Sequence, residues 1–127
     1  MKKKILIVED SYVVSYLVQN LISENFNAET FCTTDTNSIG TSLLEKSSLV
    51  ILDHFVHSKA LHEHFNGIKL AERIKRFNEE IPIILFTGCK KDQIEEIYWE
   101  NVIDAYISKA DPDFLQKLLL GIHKYID

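Results

Sequence analysis

A chain of 127 residues with 46% hydrophobic content is the size of one domain and carries enough apolar material for one continuous core. Its formal charge of -5, with a single short basic run from Lys2 to Lys4, excludes a surface built to hold nucleic acid phosphates. No apolar run is long enough to span a bilayer, and two cysteines without metal or disulfide spacing fit a reducing cytoplasm, with Cys32 and Cys89 expected as buried thiols.

The first predicted strand is Lys4 to Val8, too short an apolar stretch for a signal peptide before Glu9 and Asp10 intervene. A helix over Ser11 to Glu24 follows, with Val14, Leu17, Val18, Leu21 and Ile22 recurring at helical spacing and Asp10 or Ser11 available as its cap. A short strand, Ala28 to Cys32, leads to a weaker helix over Thr36 to Glu45, with Ile39, Leu43 and Leu44 facing inward and Asp35 as a cap. Leu49 to Leu52 shows no polar alternation, as expected of a parallel strand buried on both faces, and it delivers Asp53 at its carboxyl end.

An irregular stretch is expected to Asn66, then a helix over Gly67 to Phe77 through Ile68, Ala71, Ile74 and Phe77. Ile81 to Phe86 reads as another buried strand, closed by Thr87-Gly88. A fourth helix over Lys91 to Glu100, a strand from Ala105 to Ile107 and a last helix opened by Asp111-Pro112 complete the chain. No Pro, Gly or Ser-rich linker interrupts the series, so residues 1–127 are read as one domain. Strands alternating with helices predict an open parallel sheet covered on both faces, with ligands beyond the carboxyl ends of the strands.

At those ends the chain places Glu9 and Asp10, Asp53, Thr87 and Lys109. Singly, each has a plain structural role, because Asp and Thr cap helices and a terminal Lys is usually solvated. Together they converge on one crevice. Three carboxylates so placed repel one another unless a cation lies between them, and hard oxygen donors suit Mg2+. A carboxylate can attack a phosphoryl group to form an aspartyl phosphate, and Asp53 is the best placed nucleophile. Lys109 and the Thr87 hydroxyl would serve the phosphoryl oxygens, while Gly88 would leave the approach open.

The residues Ile7-Val8-Glu9-Asp10-Ser11, Leu52-Asp53, Phe86-Thr87-Gly88 and Tyr106-Ile107-Ser108-Lys109 resemble the receiver domain of two-component response regulators over nearly the whole chain. The resemblance implies a flavodoxin-like, CheY-like α/β fold: a (βα)5 three-layer sandwich with a five-stranded parallel sheet in the order 2-1-3-4-5. It implies that Glu9, Asp10, Asp53 and the main-chain carbonyl of Phe55 hold Mg2+. It also implies that a sensor histidine kinase or histidine phosphotransfer protein supplies the phosphoryl group from phosphohistidine. Tyr106 is the implied aromatic switch, turning inward as Thr87 moves toward Asp53. The face of the fourth helix, fifth strand and fifth helix is the implied surface for a downstream effector protein, with Tyr98 and Trp99 as partner anchors or core. The protein would be a cytoplasmic monomer or weak phosphorylation-dependent dimer, contacting neither nucleic acid nor membrane. It would be no enzyme beyond its own phosphotransfer and slow dephosphorylation. The alternative is a receiver-like interaction domain that works without phosphorylation.

Three departures from the family pattern stand out. Val56-His57 replaces the usual Pro after the acceptor, and the Gly of the third helix comes late, at Gly67. The extended segment between them carries His54, His57, His62, Glu63 and His64, whose spacing matches no metal motif, and it is expected to gate the phosphoryl group or select its donor. Ala110 replaces the Pro that usually follows the Lys, so a cis bond there would cost roughly 3 kcal/mol. Phe55 and Cys89 stand where side chains shield the phosphoryl group without activating water, so slow dephosphorylation is expected. A haloacid dehalogenase-type phosphatase would need an acid where Phe55 stands, and Glu9-Asp10-Ser11 lacks the composition of a flavin phosphate or P-loop cradle.

Overall fold

The computed structural model describes residues 2–34, 39–58, 63–88, 90, 91, 94 and 99–127, with 55–58 and 63–66 at the level of backbone. Its elements in chain order are β1 (Lys3–Val8), α1 (Tyr12–Asn25), β2 (Ala28–Thr33), α2 (Thr41–Lys46), β3 (Leu49–Leu52), β4 (Phe55–Ser58) and β5 (Glu63–Asn66). They continue with α3 (Gly67–Phe77), β6 (Ile83–Thr87), a 3-10 turn (Trp99–Asn101), β7 (Ala105–Ser108) and α4 (Phe114–Ile126). The main sheet has five parallel strands in the order β2-β1-β3-β6-β7, which is the expected 2-1-3-4-5 once the β4–β5 hairpin is set aside.

The absence of polar alternation in the central strands is explained by two cores, one on each face. Leu6, Val8, Val50, Leu52, Ile83 and Leu85 pack with Leu44, Ile68, Ala71 and Ile74 on the α2/α3 side. Ile5, Ile7, Leu49, Ile51, Ile84 and Phe86 pack with Val18, Ile22, Leu118 and Ile122 on the α1/α4 side. Successive strand residues therefore enter opposite cores, and each buried aliphatic chain contributes about 1.5–3 kcal/mol. At the amino-terminal end of the sheet, Asp104 Oδ2 accepts the Ile83 amide at 2.7 Å and Lys75 Nζ at 2.8 Å, tying the entrances of β6 and β7 to α3.

Several expectations are corrected. The stretch after Asp53 is not irregular throughout: β4 and β5 form an antiparallel two-stranded ribbon in which Phe55 pairs with Asn66 and His57 with His64. The second helix starts later, at Thr41 with Gly40 at its N-cap, and Asp35 lies outside the described residues. The last helix starts later, with Asp113 rather than Asp111 at the N-cap position and no side-chain cap, because Asp111 and Pro112 are spent in a preceding turn where the Phe114 amide donates to the Asp111 carbonyl. Leu17 and Phe77, expected inward, are partly exposed, and Cys32 is exposed because β2 is an edge strand. The predicted helix over 91–100 falls largely outside the described residues, as do Cys89, Tyr98 and His62; Trp99 is buried in the α2/α3-side core and packs on Tyr106 at 5.9 Å.

Candidate functional site

The pleat that builds the two cores also aims the polar residues beyond them. Counting on by twos from Ile5 and Ile7 reaches Glu9, from Leu49 and Ile51 reaches Asp53, and from Ile107 reaches Lys109, all toward the α1/α4 side. The ladder carries past the strand ends: the Asp53 amide donates to the Val8 carbonyl at 3.0 Å and the Lys109 amide to the Thr87 carbonyl at 2.9 Å. The Lys109 ammonium then donates to Glu9 Oε2 at 2.6 Å and Asp53 Oδ2 at 3.0 Å, and lies 5.4 Å over the Phe86 ring. Lys109 thus bridges the ends of β1, β3 and β7.

Asp10 completes the acidic group. One carboxylate oxygen each from Glu9, Asp10 and Asp53 lies within 4.8 Å of the others. Glu9 and Asp53 are buried while Asp10 is exposed, so the cluster opens to solvent on the Asp10 side. Burial pushes the Glu9 carboxyl up to about 7, with the Asp53 charge adding to the effect and Lys109 and the Ser11 amide opposing it. Burial pulls Lys109 down, but the charge of Asp53 and the hydrogen bond and charge of Glu9 outweigh it, so its ammonium is held more tightly than usual. Three carboxylates against one ammonium leave a formal deficit of two positive charges. An all-oxygen donor set with that deficit fits a hard divalent ion such as Mg2+, with Glu9, Asp10 and Asp53 as the residues that would hold it.

The family model described as "Response regulator receiver domain" matches residues 5–120. The chain belongs to the response regulator receiver family. Among solved structures, this receiver is similar to a CheY-like response regulator receiver domain protein from Methanospirillum hungatei JF-1, at 20% identity and a TM-score of 0.77, over 98% of this chain and 93% of that one. It is similar to the signal receiver domain of an HD domain-containing protein from Pseudomonas fluorescens Pf-5, at 25% identity and 0.78, over 99% and 95%. The BeF3-activated receiver domain of DrrB, a Thermotoga maritima regulator, aligns at 18% identity and 0.75, over 99% of this receiver and 98% of that chain. Comparison with curated protein sequences returns no match.

The other expected site residues lie around the same end of the sheet. Thr87 is buried at the end of β6, paired in register with Ser108. Tyr106 is half-buried on the edge strand β7, against Trp99 and under the Lys91 ammonium, which lies 5.3 Å from its ring centre. It packs with the α2/α3-side core, the face onto which Ile83, Leu85 and Thr87 also count. Among the described residues, no atom lies within 4 Å of a Cβ added at Gly88, in keeping with an open approach. Phe55 begins β4, two residues beyond the acceptor.

Two features were missed by the sequence. The Gly67 amide donates to the His54 carbonyl at 2.6 Å, closing the base of the hairpin, and a Cβ at Gly67 would sit 2.2 Å from the Asp53 carbonyl oxygen. The lateness of this Gly was visible, but its contact with the acceptor's own backbone was not. The first two turns of α1 expose Tyr12, Val13, Tyr16 and Leu17 beside Asp10. A hollow of about 520 Å³ runs from Glu9 along Tyr12, Tyr16 and Cys32, whereas a larger one, about 700 Å³ and lined by Glu72, Lys75 and Asp104 among others, lies at the sheet's opposite end, away from the chemistry.

Proposed function

We propose that this receiver takes a phosphoryl group onto Asp53 from the phosphohistidine of a sensor kinase or phosphotransfer protein and uses it to switch a partner-binding face. The supporting observation is the bridge of Lys109 to both Glu9 and Asp53, with Asp10 beside them, at the carboxyl ends of three strands. In the transfer, an Asp53 carboxylate oxygen forms the new O–P bond as the P–N bond to the donor imidazole breaks, and the imidazole leaves with the bonding electrons and takes a proton from solvent. Mg2+ held by Glu9, Asp10, Asp53 and the Phe55 carbonyl would supply charge neutralisation at the phosphoryl oxygens. Lys109 neutralises a further oxygen, and the Thr87 hydroxyl donates to the phosphoryl group once it is in place. Thr87 and Tyr106 count onto the same face of adjacent strands, which supports Tyr106 filling the space Thr87 leaves.

The exposed apolar start of α1 supports a protein donor, because a patch of that kind beside the acceptor is suited to a macromolecular surface. The receiver does no chemistry beyond its own phosphotransfer and a slow dephosphorylation. A free exposed thiol at Cys32 fits a reducing cytoplasm, and no helix among the described residues is long and apolar enough to cross a membrane. The deciding experiment incubates wild type and Asp53→Asn with Mg2+ and acetyl phosphate and measures intact mass. A phosphate-sized gain in wild type alone is expected. No gain in wild type, with beryllofluoride also leaving its amide spectrum unchanged, would instead favour a phosphorylation-independent interaction domain.

A further inference from the structure

Lys109 stands just past β7, yet its ammonium reaches Glu9 and Asp53 at the ends of two other strands, so the direction of the chain at that point decides whether the contacts form. On its amino-terminal side the sheet fixes the backbone, through the Lys109 amide on the Thr87 carbonyl at 2.9 Å. On the other side the strand has ended, and Ser108 takes over with both of its acceptors. Its Oγ receives the Ala110 amide at 3.1 Å and its carbonyl receives the Asp111 amide at 3.2 Å. The amides that follow Lys109 are thus turned back onto the residue that precedes it, a local side-chain and main-chain turn that holds the backbone on both sides of the lysine stem. Ala110 is exposed and Ser108 half-buried, so the Oγ takes an amide that water would otherwise hold. The contact requires the amide proton of residue 110, which a Pro there would not have.

We propose, resting on Asp53 as the phosphoacceptor, that Ser108 is a positioning residue for the transfer: its hydroxyl holds the turn that sets the Lys109 ammonium on Glu9 and Asp53. A lysine loses much rotamer freedom when its head is fixed, and a backbone already turned toward the site reduces what must still be given up. Without the hydroxyl, water satisfies the Ala110 amide and the turn loosens, while the sheet behind it stands. The ammonium then spends less of its time where the incoming phosphoryl oxygens need a positive charge, and the transfer slows without loss of the fold.

The test measures Asp53 labelling by acetyl phosphate in Mg2+ for the full chain carrying Ser108→Thr or Ser108→Val, side chains of one shape with and without a hydroxyl. Ser108→Thr is expected to label within about twofold of wild type and Ser108→Val about threefold to tenfold more slowly, the range that one hydrogen bond supports. Further arms separate positioning from general damage. In an Ala110→Pro chain, which has no amide to hold, Thr and Val at this position should label at equal rates; in a Lys109→Ala chain they should again be equal, because the hydroxyl acts only through the ammonium. The Lys109 ammonium resonance of the Mg2+-free protein reads the same turn without any phosphoryl chemistry. It should stay resolved from the solvated lysines in wild type and Ser108→Thr and merge with them in Ser108→Val. Equal labelling by Ser108→Thr and Ser108→Val, or a Val penalty that persists in either second background, would overturn the proposal. Were wild type to take no label, the phosphoacceptor reading would fail, and the ammonium resonance would then decide alone: one signal common to the Thr and Val variants would remove the role of Ser108. Circular dichroism checks each variant for native structure, and Ser108→Ala replaces Ser108→Val if the latter unfolds.

Discussion

Glu9 carries the most displaced ionisation in the site, raised by burial to about 7, and its sign is testable. The folded state holds a proton that the unfolded chain releases near its ordinary value of 4.5, so this group's contribution to stability falls as pH rises from about 4.5 to about 7 and is flat above. A divalent cation must displace the same proton. Mg2+ affinity is therefore expected to climb with pH, by at most about tenfold per unit, and to level off above about 7. Calorimetry across that range should show the climb in wild type and its absence in Glu9→Gln; an identical slope in the variant would locate the proton elsewhere. At this scale the sequence was a good guide, since Glu9, Asp53 and Lys109 meet as their positions at strand ends implied. Cys32 was misjudged because residue type says nothing about which strand ends the sheet.

Between β3 and α3 the chain makes an excursion that begins and ends at the acceptor, and Gly67 is its closing point. A Cβ there would lie 2.2 Å from the Asp53 carbonyl oxygen, 2.8 Å from the His54 Cα and 2.9 Å from the Leu52 Cδ1. Two of the three atoms are backbone, so the crowding cannot be relieved by a rotamer change. Gly67→Ala is expected to cost about 1–3 kcal/mol in chemical denaturation, as overpacking does, and to slow acetyl phosphate labelling by displacing Asp53. Wild-type stability and labelling in that variant would show that the helix start can shift freely. The hairpin hydrogen-bonds as a separate two-stranded sheet, so replacing residues 58–64 with a short glycine turn should leave the five-stranded sheet folded. A several-fold change in phosphotransfer or dephosphorylation rate is expected if the segment gates the site or selects the donor; unchanged rates in both directions would dispose of that role.

For the molecule as a whole, two cores on opposite faces of one sheet converge on a single acidic end, which links global stability to cation binding. An ion that binds only the folded state stabilises it by about 2.7 kcal/mol at 100 times its dissociation constant. Thermal unfolding in Mg2+ should therefore shift upward with concentration in wild type, and much less in Asp10→Asn, which removes the exposed donor without disturbing the buried pair. Equal shifts in both proteins would place the stabilising ion away from the cluster. What the sequence determined by itself was the set of strands buried on both faces, Ile5 to Val8, Leu49 to Leu52 and, read two residues early, Ile81 to Phe86, and the polar residue following each. These are local facts, because an apolar run of four to six residues rich in Ile, Leu and Val suits a strand covered on both faces, and parallel strands all end on the same side. The tertiary structure alone decided that Leu17 and Phe77 remain partly exposed, that Gly67 abuts the acceptor's backbone, and that β4 and β5 pair as an antiparallel ribbon. Each depends on which distant segment arrives beside the residue, and periodicity along a chain carries no record of its neighbours across space.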